Sequence, residues 1–166
     1  MTIRAEPLTA EAFAPFGQVL EVGSMEPIRI NQGLCERFHD LAALEVDAAG
    51  RLGISLFLAE GRALPYRLEM LERHPLGSQA FLPMSRAPFL VIVAPDTGGT
   101  PGAPLAFVTA PGQGVNYAKG TWHGVLTPLG DRQTFAVIDR IGEGQNLEEV
   151  WLESPVEIIG PGSEAP

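Results

Sequence analysis

Apolar residues in this chain fall in short runs rather than at helical spacing. Residues 54–59, 65–72, 79–84, 89–94, 105–109 and 134–139 are each rich in β-branched, aromatic or leucine side chains and bounded by Gly or Pro. Such runs predict strands. Residues 148–153 add a further one. One helix is predicted near the start, over residues 9–17: Thr9 can cap it, Glu11 sits in its first turn, and Pro15 and Gly17 end it. The Pro- and Gly-rich stretch 95–104 reads as an exposed loop, and 160–166 as a disordered tail. No repeat or interdomain linker interrupts the pattern. Many short strands with few helices point to a mainly β barrel or sandwich.

Composition narrows the function classes. At 166 residues the chain suits one domain, and burying roughly 70% of its unfolded surface would give a sizeable core. A hydrophobic fraction of 45% is too high for a disordered chain. The 19 Gly and 15 Pro agree with tight turns between short strands. A net charge of −9 argues against a nucleic-acid partner, because phosphate-backbone binding is driven by Lys and Arg. No run reaches the ~18 apolar residues of a membrane helix, and the start lacks an apolar leader core. The lone Cys35 excludes an intrachain disulfide or a Cys-rich zinc site. A cytoplasmic protein is expected.

The chemistry concentrates in two segments, residues 71–79 and 112–123, which hold two of the three histidines, His74 and His123. Strand side chains two residues apart face the same way, so Glu72 and His74 share a side and Arg73 points opposite. Pro75-Leu-Gly-Ser78 is turn chemistry, and an antiparallel return would place Gln79 across from Glu72 and His74. In the second segment Gly120 supplies a turn, and His123, Val125 and Thr127 share a face. A barrel that brings both segments together forms a pocket able to bind a metal or transfer protons. Asp139 shares a face with Phe135 and Val137 and enters the pocket only if that face is internal. His39 reads as a surface turn residue, Cys35 as a small buried thiol, Trp122 as core or pocket wall, and 142–145 as a turn.

This layout resembles the cupin superfamily. Cupins carry two His two residues apart, a Glu five positions later, and a third His three residues after a Gly. Here Glu72 stands at the first His position, Gln79 at the Glu position, and Ala118 where a Pro is usual. A wider resemblance involves Ile30-Asn-Gln-Gly-Leu-Cys-Glu-Arg-Phe-His-Asp-Leu-Ala42, Leu71-Glu-Arg-His-Pro-Leu-Gly-Ser-Gln-Ala-Phe-Leu-Pro-Met84, Gly112-Gln-Gly-Val-Asn-Tyr117, Trp122-His123 and Ile138-Asp-Arg140. In this order the blocks are similar to those of the ureidoglycolate lyase family, formerly called ureidoglycolate hydrolases. The resemblance implies a single cupin-like β-barrel over 1–159 with a few short helices. It also implies a homodimer, and a carbon–nitrogen lyase splitting ureidoglycolate into glyoxylate and urea during allantoin (purine) breakdown.

Ureidoglycolate is a hemiaminal, so its cleavage needs a base for the hydroxyl proton and an acid for the departing urea. On this reading His74 or His123 shuttles the proton and Glu72 orients it or acts as base. Lys119 anchors the substrate carboxylate, since leaving that charge unpaired in a buried site would be costly. Gln79, Asn31 and Asn116 offer amides to the urea end, with Asp139 as a further candidate. Hemiaminal cleavage needs no redox chemistry, so no cofactor is called for on that ground. Two His and a carboxylate also suit a divalent metal such as nickel, and Glu72, His74, Gln79 and His123 would then be its ligands. The neutral Gln79 weakens that set, and the metal question stays open. The competing readings are a metal-dependent cupin isomerase or dioxygenase acting on a small carboxylic acid, and a non-catalytic cupin that binds a small molecule.

Overall fold

The computed structural model describes residues 1–162. Strand makes up 51% of it and helix 4%, so the chain is mainly β, in a nearly closed, barrel-shaped sheet arrangement. In chain order the elements are β1 (Thr2–Arg4), β2 (Glu6–Pro7), α1 (Ala10–Phe13), β3 (Gly17–Leu20), β4 (Ile28–Ile30) and β5 (Cys35–Arg37). Then come β6 (Arg51–Ala59), β7 (Tyr66–Arg73), β8 (Gln79–Pro83), β9 (Phe89–Ala94) and β10 (Leu105–Val108). The last are β11 (Gly114–Tyr117), β12 (Trp122–His123), β13 (Thr127–Pro128), β14 (Gln133–Ile141) and β15 (Glu148–Ile159). All seven predicted strand runs fall on strands. Thr9 caps α1, its side chain accepting from the Ala12 N–H at 3.2 Å. Of the predicted tail, residues 160–162 follow β15 as a turn, while 163–166 lie outside the described residues.

The larger sheet runs β1-β15-β7-β12-β9-β10-β2, with β13 also pairing β9, and the smaller runs β3-β11-β8-β14-β6. Strands β4 and β5 form a separate ribbon. β9 explains why the sheets stack. Every residue of Phe89–Ala94 is buried, so both of its faces must be covered. Phe89, Val91 and Val93 join Phe13, Phe81, Phe107, Val115, Tyr117, Phe135 and Val137 in one cluster fed by both sheets. Leu90, Ile92 and Ala94 join Leu68, Leu71, Trp122 and Ile158 in a second cluster on the other face.

The predicted hairpin is not formed. β7 pairs with β12 and β15, whereas β8 pairs with β11 and β14. The Pro75–Ser78 turn is instead a corner that carries the chain from one sheet to the other. Long-range bonds hold it open: Leu76 N–H to Asn146 Oδ1 at 2.8 Å, Asp47 N–H to Leu76 O at 3.0 Å, and Ser78 N–H to Glu45 O at 3.0 Å. Gln79 therefore enters the inter-sheet space from the opposing layer, next to Tyr117, rather than from alongside Glu72 and His74.

At Gly17 the backbone admits only glycine. Gly17 has φ of 147° and pairs with Tyr117, and a Cβ there would lie 1.8 Å from the Asn116 carbonyl oxygen. That pairing fixes the end of β11, and with it Tyr117.

Candidate active site

β12 turns one sequence pair into a wall and a working group. Trp122 pairs with Ala94 and enters the second core cluster, while His123 pairs with Val93 and faces the space between the sheets. On its other side His123 lies directly opposite Glu72 of β7. His74 follows two residues on. The three side chains meet as parity requires. Glu72 Oε1 is 4.0 Å from His74 Nε2 and 3.9 Å from His123 Nδ1, and the two imidazole centres are 5.3 Å apart. One ligating atom from each residue lies within 4.8 Å of the others.

Backbone carbonyls fix both imidazoles. His74 Nδ1 contacts the Asn146 carbonyl at 2.7 Å and His123 Nδ1 the Gly124 carbonyl at 3.0 Å. A carbonyl oxygen only accepts, so each Nδ1 carries the hydrogen and each neutral ring presents a bare Nε2. Both Nε2 atoms are buried without a hydrogen-bond partner. Tyr117 stacks flat on His123, with centroids 4.3 Å apart and planes 5° from parallel.

Burial sets the proton affinities. Desolvation pushes the His123 pKa down to about 3, with the neighbouring His74 adding to the fall and the Gly124 carbonyl opposing it. Desolvation raises the Glu72 carboxyl above its ordinary value; His74 offsets part of that and Glu149 adds to it. Tyr117 is raised as well, by burial first and by the Glu72 charge second. At neutral pH, then, His123 is neutral, and Glu72 holds its proton more readily than a surface glutamate.

The smaller sheet supplies a second row. Gln79 pairs with Tyr117 in the β8–β11 ladder, and its Nε2 donates to Asp139 Oδ2 at 3.2 Å. Phe135 and Val137, which share the Asp139 face, are fully buried between the sheets, so that face is internal. Gln79 Oε1 is buried and unpartnered.

Other expected residues lie elsewhere. Asn116 sits between Val115 and Tyr117, both in the inter-sheet core, so it projects from the opposite face of β11. There it donates to Gln18 Oε1 at 2.8 Å and to the Ala43 carbonyl at 3.3 Å. Lys119 is exposed and lines a pocket with Asp96, Thr121 and Trp122 on its walls, none of them from the Glu72–His74–His123 cluster. Asn31 is exposed in the turn between β4 and β5, at φ of 54°. Arg73 points away as expected: it bonds Glu148 at 2.6 Å and Asp96 at 3.0 Å and lies over the Trp122 ring. His39 is exposed, and Cys35 is only half-buried, because the β4–β5 ribbon joins neither main sheet. Sequence reasoning missed Tyr117 and Asn146. Strand alternation with Val115 was a usable signal for Tyr117. Asn146 acts on His74 through its backbone carbonyl, which no residue type announces.

Comparison with known proteins decides the family. The ureidoglycolate lyase family model matches residues 1–159. The chain belongs to the ureidoglycolate lyase family. It is 56% identical to a ureidoglycolate lyase of Chelativorans sp. (strain BNC1), over 96% of this chain and 97% of that one. A ureidoglycolate lyase of Rhodobacter capsulatus is 57% identical over 93% and 96%, and one of Mesorhizobium japonicum 52% over 96% and 98%. Among solved structures, a dTDP sugar isomerase from Desulfovibrio desulfuricans G20 aligns with a TM-score of 0.46 at 18% identity, over 82% of this chain and 85% of that one. That likeness is too slight to bear on activity.

Proposed function

We propose that this member of the ureidoglycolate lyase family cleaves ureidoglycolate to glyoxylate and urea by acid–base catalysis within the Glu72–His74–His123 cluster. The observation that carries the reading is the buried, bare His74 Nε2 lying 4.0 Å from Glu72 Oε1, a carboxyl whose proton affinity is raised, with a second bare imidazole nitrogen on His123. The base removes the proton of the substrate hydroxyl, the oxygen lone pair closes to a carbonyl, and the C–N bond breaks. The departing nitrogen takes a proton, which leaves neutral urea and the glyoxylate aldehyde. His74 is the better base. An imidazole held neutral down to about pH 3, as His123 is, cannot carry a proton at neutral pH. His123 instead accepts a hydrogen bond, and the ionised Glu72 carboxylate stabilises protonated His74 and then relays its proton to the leaving nitrogen. Lys119 lines a separate pocket with none of the cluster residues in its walls, so the carboxylate-anchoring role expected of it has no support.

The donor set also fits a divalent cation, because one nitrogen from each imidazole and a carboxylate oxygen lie within 4.8 Å of one another. Held by Glu72, His74 and His123, such an ion would supply Lewis-acid polarisation of a substrate oxygen. A place in allantoin breakdown follows from the substrate. A cytoplasmic location is supported by the single cysteine, and among the described residues no helix is long and apolar enough to cross a membrane. A homodimer is supported by β6, an edge strand with Ile54, Leu56 and Leu58 exposed at 75%, 68% and 56%.

The test measures glyoxylate, urea and ammonia separately after incubation with ureidoglycolate. Urea without ammonia is expected, and His74→Ala should lower turnover by about 10²-fold or more. Ammonia as the nitrogen product, or near wild-type turnover in His74→Ala, would remove the proposal.

A further inference from the structure

The cluster has an unusual polarity. His74 Nε2, His123 Nε2 and Gln79 Oε1 are all buried, all unpartnered and all acceptors. A pocket lined by unsatisfied acceptors recognises a ligand that brings hydrogen-bond donors, because only such a ligand relieves them. The orientation of Gln79 decides which end of the ligand it meets. Its amide nitrogen donates to Asp139 Oδ2 at 3.2 Å, and reversing the amide would set two oxygens against each other. Asp139 thereby turns the Gln79 carbonyl oxygen away from itself. Gln79 is only 7% exposed and pairs with Tyr117, whose ring lies flat on His123, so this oxygen belongs to the same inter-sheet space as the two imidazoles.

We infer that Gln79 is the specificity-determining residue for the ureido group, accepting its N–H donors, and that Asp139 is the positioning residue that aims it. The inference rests on the lyase reading of the site and deepens it. It predicts selectivity for N-carbamoyl compounds over acids of the same size that lack N–H groups. Arg73 is engaged with Glu148 and Asp96 on the other side of β7 and does not compete for this role.

The probe is ureidoacetate, which is ureidoglycolate without the hydroxyl and so cannot undergo the elimination. Its binding and that of glyoxylate are measured by calorimetry in wild type, Gln79→Met and Asp139→Asn, alongside KM and kcat for ureidoglycolate. Gln79→Met keeps the side-chain length and removes the acceptor. It should weaken ureidoacetate about 10-fold and raise KM similarly, the scale of one lost hydrogen bond, while glyoxylate binding stays within about 2-fold. Asp139→Asn frees the amide to turn and should raise KM about 3-fold with kcat little changed, a split that a general loss of folding would not give. Unchanged glyoxylate binding shows in the same titrations that the variant pocket is folded. Wild-type affinity for ureidoacetate in Gln79→Met, or an equal loss for both ligands, would overturn the inference. Wild-type protein that binds ureidoacetate yet releases no glyoxylate from ureidoglycolate would instead sink the lyase reading on which the inference rests.

Discussion

Replacing Glu72 by Gln keeps the shape of the side chain and removes its charge, which isolates what the carboxylate does. Its oxygen lies 4.0 Å from His74 Nε2, and the two side chains are 19% and 17% exposed. Two unit charges ~4 Å apart attract by ~4 kcal/mol at an effective dielectric of ~20. If His74 becomes positive when it takes the substrate proton, the neutral amide forfeits about that much stabilisation of the charged intermediate, and kcat should fall ~10³-fold. That lies within the ~10²–10⁴-fold range of general acid–base groups. KM should change little, because the interaction develops only as the proton moves. Steady-state glyoxylate release on protein of verified fold gives the measurement. Stability should move the other way. The Glu72 pKa is raised in the folded state, so its ionisation opposes folding increasingly as pH rises from the ordinary carboxylate range through the raised value. Glu72→Gln should therefore melt at or above the wild-type temperature at neutral pH, with the gap closing as pH falls into the ordinary carboxylate range. Turnover within ~3-fold of wild type would refute the catalytic argument, and a clearly lower melting temperature would refute the burial argument.

Two further outcomes test the core and the site electrostatics. Phe135 is fully buried and packs edge-on against Phe89 at 5.1 Å, so Phe135→Ala should cost ~3–5 kcal/mol in denaturant unfolding, and a loss below ~1 kcal/mol would contradict that packing. His123 has its pKa lowered to about 3 from an unfolded value near 6.5. The unfolded chain therefore binds the extra proton across that window, and the stability His123 supplies is complete above ~pH 6.5 and lost toward ~pH 3, by up to ~1.4 kcal/mol per pH unit. Unfolding curves at stepped pH should show that slope in wild type and a shallower one in His123→Gln; equal slopes would show that His123 does not titrate as described.

The sequence makes the central strands legible because their burial leaves a mark. Phe89–Ala94 is apolar without interruption, and the observed strand has those bounds. The two- and three-residue strands leave no periodicity to read, and the parallel pairing of β1 with β15 joins opposite ends of the chain. Pro155 interrupts the pattern of β15, which nonetheless continues to Ile159 through a register shift between Trp151 and Val156. Strand parity alone groups Glu72 with His74, and it should also have removed Asn116, whose neighbours Val115 and Tyr117 are both core. The Pro75–Ser78 corner is the instructive miss. Its residues suit a hairpin equally well, and the choice is made by Glu45, Asp47 and Asn146, all distant in sequence.

That corner leaves the pocket with walls of separate ownership: Glu72, His74 and His123 on the larger sheet, Gln79, Tyr117 and Asp139 on the smaller. A ligand gripped from both sides acts as a rivet between two plates. Its binding energy then resists their separation, so occupancy should slow amide hydrogen exchange at the ends of β7 and β8 together, although those strands share no hydrogen bond. Anything that loosens the plates at a distance from the pocket would weaken the grip before it unfolds the barrel.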